Sequence, residues 1–347
     1  MPQTSRPPDC AASGRAERRF SCGTRRSPAQ APLRRAVVLL LACLSGAACG
    51  ESLLLPSEGA TPARVDRLLL LGASTAGKRL AAVGERGRII VSEDHGRSWR
   101  YVPSPTEATL TAVHFVDDRL GFAVGHDATI LRSDDSGVTW EKAHEAPGEN
   151  APLLDVWFAD AGNGIAVGAY GLALRSTDGG RTWARVRLDD GDRHLNAIAG
   201  SQDGRVFVVG EAGALFLSED HGATWAALES PYAGSFFGAL MLPDGSPLIF
   251  GLRGKVFRGS AKGVPWQPIA SGTEASLLGG RWTAQRGMLL VGNDGLILES
   301  ADADSGKTLS VVRTPDRRAI ATVLEGTDGE LLLFGEGGMS RLARDRP

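Results

Sequence analysis

One octet recurs along the chain: Ser92-Glu-Asp94-His-Gly96-Arg-Ser98-Trp99, Ser133-Asp-Asp135-Ser-Gly137-Val-Thr139-Trp140, Ser176-Thr-Asp178-Gly-Gly180-Arg-Thr182-Trp183 and Ser218-Glu-Asp220-His-Gly222-Ala-Thr224-Trp225. Degenerate copies follow at Ser260 to Trp266, one residue shorter and without the Asp, and at Ser300 to Leu309, two residues longer and with Leu in place of Trp. The leading serines stand at 92, 133, 176, 218, 260 and 300, in steps of 40 to 43. A catalytic loop is usually unique in its chain. A period of this length therefore reads as a repeat architecture before it reads as a site.

A second landmark runs in phase with the first. An apolar run ends in Gly, and three residues later a second small residue opens another run, as in "FAVGHDATIL" and "FVVGEAGALFL". The leading glycines are 84, 125, 168, 210, 251, 292 and 335, seven copies. Each unit reads as four short strands, for which "LTAVHFVD", "GFAVG", "TILRS" and "TWEKA" in 110–143 serve as the pattern. The turn between strands two and three carries G-x-x-G, because Gly supplies positive φ without strain. The octet lies between strands three and four. There Ser and Asp bond the loop's own backbone, Gly permits the turn, and Thr and Trp open the next strand and point inward.

A four-stranded unit cannot bury both faces alone. Seven such units stacked radially give an all-β fold, a seven-bladed β-propeller of four-stranded antiparallel blades over residues 65–347. The last blade has sequence for three strands before Pro347, and "SLLLP" at 52–56 is expected to supply its fourth. The ring is then closed by strands from both ends, which leaves no open edge.

The first 48 residues form a separate unit, an Arg-, Pro- and Ser-rich n-region followed by a secretory signal. Arg34-Arg35 precede "AVVLLLACLSGAACG", whose apolar run falls short of the roughly 20 residues a membrane span needs. All four cysteines (10, 22, 43 and 49) lie in or before this run. Cys49, after Gly46-Ala47-Ala48, resembles the lipidated cysteine of a bacterial lipoprotein, with residues 49–64 as its linker. Cys43, after Leu40-Leu41-Ala42, is the alternative, and cleavage after Ala48 without lipid is a third reading. This segment carries a net charge of +6, so residues 49 onward carry −8 of the formal total of −2. An acidic body argues against nucleic acid as a partner.

The octet resembles the Asp-box, or bacterial neuraminidase repeat, of sialidases, sortilin-like domains, some glycanases and the photosystem II assembly and stability factor family. The direct link from glycine turn to box, as in "IAVGAYGLALRSTDGGRTW", resembles the last of these most. That resemblance implies boxes at the blade periphery. It also implies a non-enzymatic, exported, monomeric platform that holds or helps assemble a membrane-associated protein complex.

The carbohydrate-active alternative fares unevenly. A sialidase needs an early Phe-or-Tyr-Arg-Ile-Pro motif and a Tyr–Glu pair. The motif is missing, and the three tyrosines (101, 170 and 232) leave only Tyr170, with Glu211 one turn away, in an axial position. A glycanase needs just two carboxylates at a suitable separation, and 40 acids leave that open. No cofactor or metal site is expected, since the six histidines never form a close pair.

The turn tips deliver the candidate binding side chains to one rim: Glu85 and Arg86, His126 and Asp127, Tyr170, Glu211, Arg253, Asn293 and Asp294, and Glu336. The loop 144–158 and the segment 229–240, with Tyr232, Phe236 and Phe237, are either further exposed candidates or the core ends of strands. Deleting residues 50–58 should lower the melting temperature through loss of the closing strand. An unchanged melt removes that closure.

Overall fold

The computed structural model describes residues 63–283, 287–300, 309–327 and 329–343. Among them the strands form seven antiparallel sheets, six of four strands and one of three. In the second blade they are Leu110–Phe115, Gly121–Gly125, Ile130–Ser133 and Glu141–His144. All four follow the sequence pattern, except that the outer strand starts after Trp140 rather than at Thr139.

The first strand of every blade lies innermost and packs against that of the next. These are Leu70–Ala76, Leu110–Phe115, Leu153–Phe158, Leu195–Gly200, Phe236–Met241, Leu277–Thr283 and Ile320–Glu325, and the last returns to the first. The protein is a seven-bladed β-propeller. Blade 1 and blade 7 share a core in which Leu70, Leu80 and Trp99 cluster with Leu324, Leu332 and Phe334. Residues 52–56 and all four cysteines lie outside the described residues.

Six of the seven second strands, such as Gly121–Gly125 and Val206–Gly210, are buried at every position, and in Arg79–Gly84 only Arg79 is half-buried. Their uninterrupted runs of Val, Ile, Phe and Ala suit strands covered on both faces by neighbouring blades. The leading glycines do not serve the purpose the sequence suggested. Gly84 and Gly168 are extended, at φ −174° and −165°. Each leading glycine is needed because a Cβ there would come within 1.9–2.5 Å of a carbonyl oxygen just ahead of the inner strand, that of Leu69, Thr109, Pro152, His194, Ser235, Ser276 or Ala319. The same seven carbonyls accept the amide of the next turn residue at 2.8–3.1 Å. Positive φ falls instead on the second small residue, for example 64° at Gly87 and 67° at Gly171.

The four complete boxes close in one way. The Ser hydroxyl donates to Asp Oδ1 at 2.8–2.9 Å and accepts the box Gly amide at 2.7–2.9 Å. The Asp carboxylate accepts the amide of the Ser or Thr two residues past the Gly at 2.8–2.9 Å and its hydroxyl at 2.6–2.7 Å. Those donors, the Thr hydroxyl first, hold the Asp178 and Asp220 carboxyls down to about 2. The Trp indole then donates to the Gly carbonyl at 3.1–3.2 Å. The degenerate box at Ser260 lacks the Asp, and the Trp266 indole N–H finds no partner.

The box is also a joint between blades. A Cβ on Gly180 would lie 2.1 Å from Phe122 of the preceding blade, on Gly222 2.2 Å from Ile165, and on Gly96 2.8 Å from Leu332. Trp99 meets Phe334 of blade 7 edge to face at 5.8 Å, and Trp183 meets Phe122 of blade 2 at 6.3 Å. An arginine of the preceding blade bonds a box carbonyl at five junctions. Arg341 reaches His95, Arg79 reaches Asp135 and Ser136, Arg132 reaches Gly179, Arg175 reaches His221 and Arg205 reaches Ala261, all at 2.8–3.2 Å.

Gly180→Ala should therefore cost about 3 kcal/mol, from left-handed strain plus the clash with Phe122, and lower the melting temperature by roughly 5–10 °C. Gly191→Ala, in an exposed connector, serves as the control. Equal melts for the two variants would show that the joint tolerates a side chain.

Candidate recognition rim

Antiparallel order places the turns between strands two and three on one face, together with the connectors between blades. The Asp-boxes lie on the opposite face. At six of the seven turn tips a residue other than glycine holds a left-handed conformation: Arg86, Asp127, Tyr170, Ala212, Arg253 and Asp294, at φ 51° to 62°. Such residues are uncommon, and a bulky one is a genuine outlier.

The rim side chains named from sequence divide into those spent on the fold and those left over. Glu85, Glu211 and Glu336 turn back onto the backbone ahead of their own inner strands, accepting the amides of Leu69, His194 and Ala319 at 3.3–3.4 Å. Asp294 is held by Arg313 and Arg317 at 2.7 and 2.8 Å. Arg86, His126, Arg253 and Asn293 are exposed, and Asp127 is half-buried. Arg253 lines an open pocket of about 570 Å³ with Lys255, Tyr232 and Glu274. Tyr170 is 61% exposed and touches His194, which the sequence did not single out.

Two other expectations are corrected. Leu153–Phe158 of the supposed loop 144–158 is the inner strand of blade 3. Phe236 is fully buried in the core, with Tyr232 edge-on against it at 6.1 Å, while Phe237 faces the central channel. Among the described residues no group of three or more His, Cys, Asp or Glu is placed to hold a metal ion.

The central channel, about 240 Å³, contains groups that sequence reasoning missed. Three consecutive junctions are stitched there by side chains. Thr111 Oγ1 donates to the Leu153 carbonyl at 2.7 Å, Asp155 Oδ2 accepts the Ile198 amide at 2.8 Å, and Asn196 Nδ2 donates to the Phe236 carbonyl at 2.8 Å. Asp155 touches the lumen, but protein encloses its carboxyl. Desolvation raises it to about 6 against the pull of the Ile198 and Val156 amides. His114 on the neighbouring blade is driven the other way, to about 4, by the same desolvation despite a bond to the Phe158 backbone.

Fold, boxes and rim together define an Asp-box β-propeller that closes its ring through one face and displays side chains on the other. A family model described as Photosynthesis system II assembly factor YCF48 matches residues 91–263. The photosystem II assembly protein Ycf48 of Thermosynechococcus vestitus is 30% identical over 254 residues, 71% of this chain and 72% of that protein. The chain belongs to this family. The photosystem II assembly lipoprotein Ycf48 of Prochlorococcus marinus is 42% identical over 52 residues, 15% of each chain. A solved structure described as YCF48 bound to D1 peptide matches with a TM-score of 0.63 and 17% identity over 81% of this chain and 95% of that one. YCF48 from Cyanidioschyzon merolae matches at 0.62 and 15% identity, over 79% and 94%. At those identities the structural likeness shows the fold.

The Asp155 carboxyl is raised, so its stabilising contribution is complete below the ordinary carboxylate range and is lost as pH rises through about 6. Asp155→Asn keeps a neutral acceptor for the Ile198 amide. Relative to wild type, the variant should gain about 1–2 kcal/mol between pH 5 and pH 7.5. The difference between the two melting curves isolates Asp155 from His114, and parallel curves across that range would refute the assignment.

Proposed function

We propose that this chain is a non-enzymatic, exported propeller whose turn-tip rim holds a membrane-associated protein during assembly of a larger complex. The observation that carries this reading is the division of labour between the two faces. The box face spends its polar groups on closing turns and joining blades, while among the described residues Arg86, Tyr170 and Arg253 stand on the rim without an ion pair. Exposed Arg and Tyr are the residue types that dominate protein interfaces. The family supports the same reading, since its relatives are described as photosystem II assembly proteins and one solved structure holds a D1 peptide. A relative described as a lipoprotein supports export and a lipid on Cys49, with the monomeric propeller on the far side of the membrane from synthesis.

The test is crosslinking in cells, mild detergent extraction, capture through a C-terminal tag and mass spectrometry. One membrane complex should be enriched reproducibly. Replacing Arg86, Tyr170 and Arg253 together with alanine should reduce that enrichment at least tenfold and leave the melting temperature unchanged. Undiminished enrichment would move the binding surface to the sides or to the box face.

A further inference from the structure

Among the described residues Tyr170 is the one aromatic of the large hydrophobic side chains that stand exposed, the others being Val264 and Val311. It sits at φ 55°, a place that Ala212 fills in the next blade. The fold does not require a bulky residue there, and bulk in this conformation carries strain.

His194 holds it. The Tyr170 amide donates to His194 Nδ1 at 3.2 Å, and the two rings meet edge to face at 5.0 Å and 63°. Blade 4 fixes His194 in turn: its amide donates to Glu211 Oε2 at 3.3 Å, and its carbonyl accepts the Glu211 amide at 2.8 Å. The charged groups around it are Glu211 on the next turn and Asp189, Asp190, Asp192 and Arg193 on its own connector. Arg193 is paired with Asp189 at 2.5 Å, and Asp190 and Asp192 are exposed.

The bond from Tyr170 requires a lone pair on Nδ1, which only the neutral imidazole with its proton on Nε2 provides. An imidazolium carries a proton on both nitrogens and sets Nδ1–H against the tyrosine amide.

We propose that His194 is a protonation-controlled catch for Tyr170, so that the rim presents a fixed aromatic anchor when this histidine is neutral and a released one when it is charged. The proposal rests on the rim being the recognition surface and supplies its regulation. A rigid aromatic contributes contact area at little entropic cost. Protonation of this imidazole therefore costs the rim its preorganised tyrosine.

The full chain labelled with ¹⁵N at tyrosine alone gives one amide resonance for each of its three tyrosines. Tyr170→Phe identifies the relevant one. On titration with acid the Tyr170 amide proton should move upfield in one step together with the imidazole signal of His194, while Tyr101 and Tyr232 stay in place. The step should vanish in His194→Gln and persist in His126→Gln, with the other two resonances showing that both variants are folded. A step that survives in His194→Gln, or a wild-type Tyr170 amide that does not move, overturns the proposal. The measurement needs no partner. A rim that captures nothing can still show the catch, and a rim without the catch can still capture, so the two readings fail separately.

Discussion

At three of the four strict Asp-boxes the propeller depends on the absence of a side chain at the fifth place. The space in front of Gly180 belongs to Phe122 of the preceding blade, and that in front of Gly222 to Ile165. Any larger residue would push two blades apart. Around that contact the box directs its other groups inward: Ser and Asp satisfy the loop's amides, the Trp indole takes the glycine carbonyl, and the Trp ring fills the seam. An arginine from the neighbouring blade bonds a box carbonyl at five junctions. Closing the turn and closing the ring are thus achieved by one set of atoms. The four strict boxes stand in consecutive blades, and the box that has lost its Asp has also lost the indole bond.

Much of this was legible in the sequence, because a period near 42 residues with two landmarks in phase admits few architectures. Strand order, blade number and the location of the boxes all followed from spacing. The physical reasons were less accessible. The leading glycines look like turn residues, yet they are extended and answer to a carbonyl some sixteen residues upstream that spacing alone does not reveal. The arginine joints escaped notice although Arg132 and Arg175 share a visible signal, an Arg directly before the box serine. Thr111, Asp155 and Asn196 gave no signal at all. Each occurs once, on an inner strand, and bonds a backbone group about forty residues away.

The rim was legible in position but not in detail. Turn spacing brought the tips to one face, but it could not separate Glu85, Glu211 and Glu336, which serve the backbone, from Arg86 and Arg253, which do not. It also missed His194, which sits on a connector and becomes relevant only through Tyr170. What distinguishes this face energetically is that its left-handed positions tolerate Ala, Asp, Arg and Tyr alike. Their identity is therefore set by something other than the turn.

The channel stitches are unevenly distributed. They join blades 2 through 5, whereas the inner strands of blades 6 and 7 and of blades 1 and 2 meet through Gly279 and Gly72 against bare backbone. At its axis the ring is therefore joined unevenly, with one arc stitched from side chain to backbone and the other packed backbone on backbone, with charge attraction between Arg281 and Glu325 across blades 6 and 7. The unstitched arc includes blade 7 and blade 1, where the two ends of the propeller sequence meet. A load applied at the rim beside Tyr170 therefore meets the stitched arc first, while blades 7, 1 and 2 are held by the arginine joints of the box face.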